Sequence, residues 1–333
     1  MGNPEVAQLQ SMGQQAYAHL LQGRADLARP LVEQLQRLRP DDPQVRQLAG
    51  QVMVIGFECS ARRTPYTPAP RPAPATAQLD LVAFHVDLPR APSGIHGQID
   101  YTTVLSQSFE SAQLRAPGAR RILLTDEATR VPGTMPVDEV IRQPIDRDRL
   151  MFERMRVQVR YLEARAAARS SVLMDSDVVV NADPAAVFAE EFDVGLTWRP
   201  GFPDSPFNGG MIFVAAGSGG VEFFRKAHAC YGAIAEEAAR LRLFARDLRA
   251  WWGDQFALAA LVGYREFAAR TTEGLEVDGT RVRFFPCESH NFTLEPAQKY
   301  RTDELRRKFF IHFKGNRKAL QDQYLAGMRA GKF

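Results

Sequence analysis

At 333 residues and 45% hydrophobic content the chain exceeds one ordinary domain and can bury a sizeable core. Its 42 basic and 39 acidic residues leave a net charge of +3 and form no long run of one sign, which argues against nucleic acid as a partner. Cys59, Cys230 and Cys287 are odd in number, far apart and outside any C-x-x-C, so a disulfide framework and structural zinc are not expected. With no signal-peptide pattern over Met1–Leu21 and no window near the roughly 18 apolar residues of a membrane span, a cytoplasmic protein is expected.

In chain order, apolar residues first recur at helical spacing: Leu9, Ala16 and Leu20, then Leu27, Leu31, Leu35 and Leu38, then Val45, Leu48 and Val52. This pattern predicts three short helices over residues 1–59, punctuated by Gly23 and by Arg39-Pro40-Asp41-Asp42-Pro43. The stretch Ala16–Pro43 resembles a tetratricopeptide repeat. A single copy is too little to stand alone, so these helices are expected to pack on a neighbouring domain, a protein partner or a second copy of the chain. The proline- and alanine-rich residues 60–77 read as an extended spacer.

From residue 78 to the end, short apolar runs alternate with helical patterns: Leu79–Val86, Tyr101–Leu114, Arg121–Thr125, Met151–Arg169 and Val172–Met174. That alternation predicts an α/β fold with a mainly parallel sheet flanked by helices, and ligands collecting at the carboxyl ends of its strands. The run Val172–Met174 ends in Asp175-Ser176-Asp177. Two carboxylates two residues apart share a face of extended chain and suit a hard divalent cation that leaves positions for phosphate oxygens. Three further fragments end apolar runs downstream: Asn208-Gly209-Gly210 before Met211–Val214, Trp251-Trp252-Gly253-Asp254-Gln255, and His312-Phe313-Lys314-Gly315-Asn316-Arg317-Lys318.

In this order the fragments resemble GT-A fold glycosyltransferases, most closely the family 8 class that includes glycogenin and lipopolysaccharide glycosyltransferases, over roughly Leu79–Leu320. The resemblance implies a metal-dependent transferase, using Mn²⁺ or Mg²⁺, that moves sugar from a nucleoside-diphosphate sugar, in the first place a UDP-sugar. It implies metal ligation by Asp175, Asp177 and His312, the last within the family's H-F-x-G-x-x-K pattern. Gly315 and Lys318 would serve the diphosphate, with Ser176 beside them. Asn208, Gly209 and Gly210 would bind the donor sugar, and Asp254 and Gln255 would lie at the reacting centre. The same resemblance places the nucleobase against Phe84, His85, Val86 and Tyr101, with Asp126 near that pocket, and assigns a donor-binding basic residue to Arg156, with Arg160 as its rival. Retention of anomeric configuration is implied as well. The family's Pro-Trp after the lysine is replaced by Ala319-Leu320.

Trp251 and Trp252 read either as stacking surfaces for sugar or acceptor or, for Trp252 especially, as core. The acceptor is open among saccharide, lipid-linked saccharide and protein. The basic cluster Arg306-Arg307-Lys308 with Lys314, Arg317 and Lys318 leaves peripheral membrane contact open. Two rival functions remain: a noncatalytic adaptor carrying an inert α/β domain, and a sugar-phosphate nucleotidylyltransferase, although Leu81–Pro89 lacks the Gly-rich loop of the latter.

Overall fold

The computed structural model describes residues 4–57, 59–88, 100–166, 168–199, 206–244, 246–263, 273–295 and 300–332. The strands used below are β1 (Arg63–Tyr66), β2 (Leu79–Phe84), β3 (Arg120–Thr125), β4 (Glu139–Arg142), β5 (Ser170–Met174), β6 (Val178–Val180), β7 (Val194–Trp198), β8 (Phe207–Val214), β9 (Gly274–Val277), β10 (Thr280–Pro286) and β11 (Phe310–His312). The helices are α1 (Pro4–Leu21), α2 (Ala25–Leu38), α3 (Pro43–Ile55), α4 (Tyr101–Arg115), α5 (Leu150–Arg165), α6 (Gly219–Arg240), α7 (Gly253–Val262) and α8 (Gln321–Arg329).

Nine strands form one mixed sheet in the order β1-β9-β10-β7-β8-β5-β2-β3-β4. The run β4-β3-β2-β5 is parallel throughout, as the alternating strand and helix patterns predict. Beyond β5 the chain returns in antiparallel β8, so β8 carries its residues back past the ends of β5 and β7. Every residue of β5 and β8 is buried, in keeping with a central position covered on both faces. The pair β6 and β11 forms a separate antiparallel ribbon. Its residues Val179 and Ile311 pack with Phe313, Tyr324 and Leu325 in a small core of their own.

The three N-terminal helices form where the periodicity places them. Asp42 caps α3, accepting from the Gln44 backbone N–H at 2.8 Å, and Pro43 occupies the first helical position, where its missing N–H costs nothing. Ala16, Leu20, Ala28, Val32 and Val52 share a continuous core with Phe223, Ala227 and Ile234 of α6 and Leu258 and Leu261 of α7. These helices are therefore packed against the α/β body. Gly50 of α3 lies under the Phe244 ring, where a Cβ would meet Cζ at 2.8 Å.

Two expectations are corrected by these contacts. The proline-rich stretch is no free spacer: β1 pairs with β9 as the edge strand of the sheet, and Pro70 bridges to Glu190. An edge position tolerates proline because one row of backbone groups needs no partner. Tyr66 donates to the Glu191 carbonyl at 2.6 Å, and Arg63 donates to the carbonyls of Cys59, Ala260 and Leu261. The second correction concerns sulfur. Cys59 and Cys230 form a disulfide across 171 residues of sequence, leaving Cys287 as the free thiol. Spacing along the chain says nothing of a pairing that requires α3 and α6 to lie side by side. Among the described residues no helix is long and apolar enough to cross a membrane.

Candidate active site and metal centre

Asp175 is the first residue beyond β5, and its backbone N–H donates to the Gly210 carbonyl of β8 at 2.8 Å. The chain turns through Ser176 and Asp177 and enters β6, whose Val178 lies in register with His312 of β11. Because β6 and β11 run antiparallel, a residue some 135 positions downstream is delivered beside the carboxylate pair. The His312 Nε2 atom is 3.0 Å from Asp177 Oδ1 and 3.7 Å from Asp175 Oδ2. One ligand atom from each of the three residues falls within 4.8 Å of the others.

The donor set fits a divalent cation. His312 Nδ1 pairs with Asn291 Oδ1 at 2.8 Å; an amide oxygen only accepts, so Nδ1 donates there and Nε2 is the nitrogen left facing the carboxylates. Asn291 is itself held through its amide nitrogen, which donates to Thr197 Oγ1 at 3.1 Å. Gly210 forms the floor: a Cβ there would strike His312 Cε1 and stand 2.7 Å from Asp175 Oδ2. Two carboxylates and one imidazole are ligands that Mn²⁺ and Mg²⁺ accept with coordination positions to spare.

Cations surround this triad. Lys318 Nζ lies 2.5 Å from Asp177 Oδ2 and 5.5 Å from the centre of the Tyr101 ring. Burial alone would raise the Asp177 carboxyl, but the His312 and Lys318 charges outweigh it and hold the group well below the usual carboxylate range. Gly315 adopts φ +58°, a left-handed turn that lets the chain leave β11 and bring Lys318 back over the pair. Burial lowers the Lys314 ammonium from its ordinary value, with the nearby Arg199 guanidinium adding to the effect.

The sugar-side residues expected from the sequence also converge here. Asn208 is buried, and its Oδ1 accepts from the Gly210 backbone N–H at 2.9 Å while its carbonyl accepts from Thr197 Oγ1. Asp254 is only 4% exposed, and among the described residues its Oδ1 has no hydrogen-bond partner. Its other oxygen would lie 2.7 Å from a Cβ on Gly209, so Gly209 is what lets α7 approach β8. Burial raises the Asp254 carboxyl above its ordinary value; Arg154 opposes this and Asp175 reinforces it. Gln255 Oε1 accepts from Arg199 at 3.3 Å.

Arg156 and Arg160 do not join the cluster. Arg156 bonds Glu153 and the Pro144 carbonyl, and Arg160 reaches Gln143. The residue in the site is Arg154, 6% exposed, with Nη1 2.7 Å from Asp175 Oδ1 and Nη2 donating to the Gly209 carbonyl. Its signal lay in the helical period. Arg154 falls on the same buried stripe of α5 as Gln158, Tyr161 and Leu162, and an arginine on an apolar stripe needs a reason. Asn291, Thr197 and Arg199 are further site residues that sequence reasoning missed; each comes from a segment with no motif of its own.

At the ends of β2 and β3, His85 is buried with Nε2 3.1 Å from Asp87, whose own backbone N–H donates to Thr129 Oγ1. Burial lowers the His85 imidazole below its ordinary value, against the pull of Asp87. Phe84 is half-buried and Val86 buried, while Tyr101 opens α4. Asp126 is spoken for: it accepts from Thr129 and pairs with Arg147, bracing this loop. Ser176 contributes its carbonyl, which accepts from Ser108 Oγ at 2.7 Å. Trp252 is 60% exposed and Trp251 36%, so the core reading of Trp252 is wrong.

No protein-family model and no curated protein matches the chain. Among solved structures it is similar to the galactosyltransferase LgtC in complex with donor and acceptor sugar analogs, with 12% identity over 76% of this chain and 100% of that one and a TM-score of 0.44. It is similar too to a glycosyltransferase involved in glycosylation of the major capsid of PBCV-1, with 12% identity over 74% and 98% of the two chains and a TM-score of 0.41. A third is the apo-form glycosyltransferase GlyE of Streptococcus pneumoniae TIGR4, with 12% identity over 74% and 59% and a TM-score of 0.44.

Proposed function

We propose that this protein is a metal-dependent glycosyltransferase that takes a sugar from a nucleoside-diphosphate donor, with uridine as the base and Mn²⁺ as the ion. The observation that carries the reading is the convergence of Asp175, Asp177 and His312 at the carboxyl end of β5, ringed by Arg154 and Lys318. Such a set suits a ligand with dense negative charge that must leave during reaction. The Asp254 oxygen that has no partner among the described residues favours an active pocket over an inert adaptor, since a buried carboxylate oxygen without a donor is costly unless a ligand hydroxyl supplies one.

In the transfer, the bond from the anomeric carbon to the donor phosphate breaks. A bond from that carbon to an acceptor oxygen forms, and the acceptor proton is lost. The cation held by Asp175, Asp177 and His312 would supply Lewis-acid stabilisation of the leaving diphosphate. Lys318, now on Asp177, is within reach to exchange that carboxylate for phosphate oxygens. Arg154 fixes Asp175 and the Gly209 carbonyl together, so the metal-binding and sugar-binding edges keep one spacing. Asp254 accepts from a sugar hydroxyl, and Asn208, locked by the Gly210 N–H, presents its amide nitrogen beside it. His85 and Tyr101 line the base end. Retention of anomeric configuration is part of the proposal and is read from the anomer of the first product by NMR.

Calorimetric titration with UDP, GDP, ADP and CDP, in Mn²⁺ and in chelator, tests the donor site. Binding that requires metal and weakens more than about 100-fold in Asp177→Ala is expected, since even outer partners of a metal site carry about 10–100-fold. Diphosphate affinity indifferent to both chelator and substitution would overturn the reading.

A further inference from the structure

Trp252 combines two unfavourable features at one position. Its backbone sits at φ +70°, a left-handed conformation that is an outlier for a bulky residue, and its indole is 60% exposed. The local packing explains how this conformation is imposed. The next residue, Gly253, is pressed against the Tyr231 ring, where any Cβ would collide, and its backbone N–H donates to the Leu248 carbonyl at 3.2 Å. Tyr231 Oη donates to that same carbonyl at 2.6 Å. The chain is thus drawn inward at Gly253 and thrown outward at Trp252 immediately before it.

The first turn of α7, directly after this kink, supplies the sugar side of the candidate site. Gln255 donates its backbone N–H to the Trp252 carbonyl at 3.2 Å, and Asp254 between them carries the buried oxygen that has no partner among the described residues. Among the described residues neither Trp251 nor Trp252 has a hydrogen bond or ring contact for its indole. The Trp252 indole, with the smaller exposed part of Trp251 next to it, therefore stands in solvent at the start of the helix that supplies Asp254 and Gln255. A conformation that costs stability while exposing an indole two residues before the buried Asp254 is kept for what it binds, not for packing.

We infer that Trp252, with Trp251 beside it, is the platform on which a sugar ring of the acceptor stacks. The axial C–H groups of a pyranose give it an apolar face, and an indole offers the largest flat partner among the side chains. The acceptor is accordingly a saccharide at its reactive end. This rests on the donor-site proposal.

The test uses the full chain with Mn²⁺ and UDP, and follows methyl β-glucoside, methyl β-galactoside and methyl α-mannoside by ligand-observed NMR titration. At least one glycoside is expected to bind the wild type. Its affinity should fall about tenfold in Trp252→Ala and change little in Trp252→Phe, in line with loss and retention of an aromatic face. UDP binding should be unchanged in both. Trp252→Gly separates binding from packing: it relieves the left-handed strain, so the melting temperature should rise while glycoside binding is lost. Glycoside affinity equal in wild type and Trp252→Ala, or no glycoside binding with UDP bound, would overturn the platform and leave the donor site standing. Absence of UDP binding overturns both.

Discussion

The difference between Arg154 and Arg156 is two positions on one helix, yet it decides which guanidinium faces the carboxylates. Arg154 lies on the buried stripe of α5 and joins Asp175 to the Gly209 carbonyl, whereas Arg156 turns to Glu153 and Pro144 on the outer flank. Removing a buried partner leaves Asp175 without its counter-charge and loosens the spacing between β5 and β8. Arg154→Ala is therefore expected to weaken metal-dependent diphosphate binding by about 10–100-fold. Arg156→Ala should leave it within about threefold, because its partners, Glu153 and the Pro144 carbonyl, lie outside the carboxylate cluster. Equal effects of the two substitutions in the same calorimetric titration would show that the buried position of Arg154 does not matter.

At the scale of elements, the ribbon that delivers His312 depends on how β11 is held to the sheet. A short helical turn, Cys287–His290, links β10 to the approach of β11, and His290 in it is stacked on Phe309 at 4.8 Å and packed on Phe285 at 4.6 Å. Burial, with the Arg283 charge adding to it, lowers the His290 imidazole from 6.5 to about 4. The folded state thus holds this ring neutral. Stability from it is complete above pH 6.5; as pH falls from 6.5 toward 4 the unfolded chain takes up the proton first and stability is lost. The full loss is about 3 kcal/mol. Thermal melts across that range should show the decline, and His290→Phe, which keeps the stack, should flatten it. A variant as pH-sensitive as the wild type would assign the dependence elsewhere.

Across the whole molecule, the N-terminal helices are tied to the α/β body twice, by the apolar core they share with α6 and α7 and by the Cys59–Cys230 bond. Closing so long a loop restricts the unfolded chain by up to about 5 kcal/mol in the chain-entropy model, and native-state effects usually reduce this. Reduction, or Cys230→Ser, is expected to lower the melting temperature by several degrees, about 2–4 °C per kcal/mol for a large domain. Thiol titration of the denatured, unreduced protein should find only the Cys287 thiol; three reactive thiols would rule the bond out.

The sequence by itself determined the elements and the chemical groups. Period-3.6 and buried-run patterns located α1 to α5 and the strands β2, β3 and β5, because burial of one helix face or of a whole central strand leaves a local imprint on composition. The Asp175–Asp177 pair stood out because two acids at the end of a buried run share one face, whereas His312, Gly315 and Lys318 were singled out only by resemblance to a known family pattern. Only the tertiary structure decided the rest. The antiparallel pairing of β6 with β11 brings His312 to the carboxylates; the segment after α3 meets α6 and joins two cysteines; and the edge of the sheet captures a proline-rich stretch that reads as a spacer. Each of these depends on contacts between segments remote in sequence, and a local pattern cannot encode which distant surface will satisfy it.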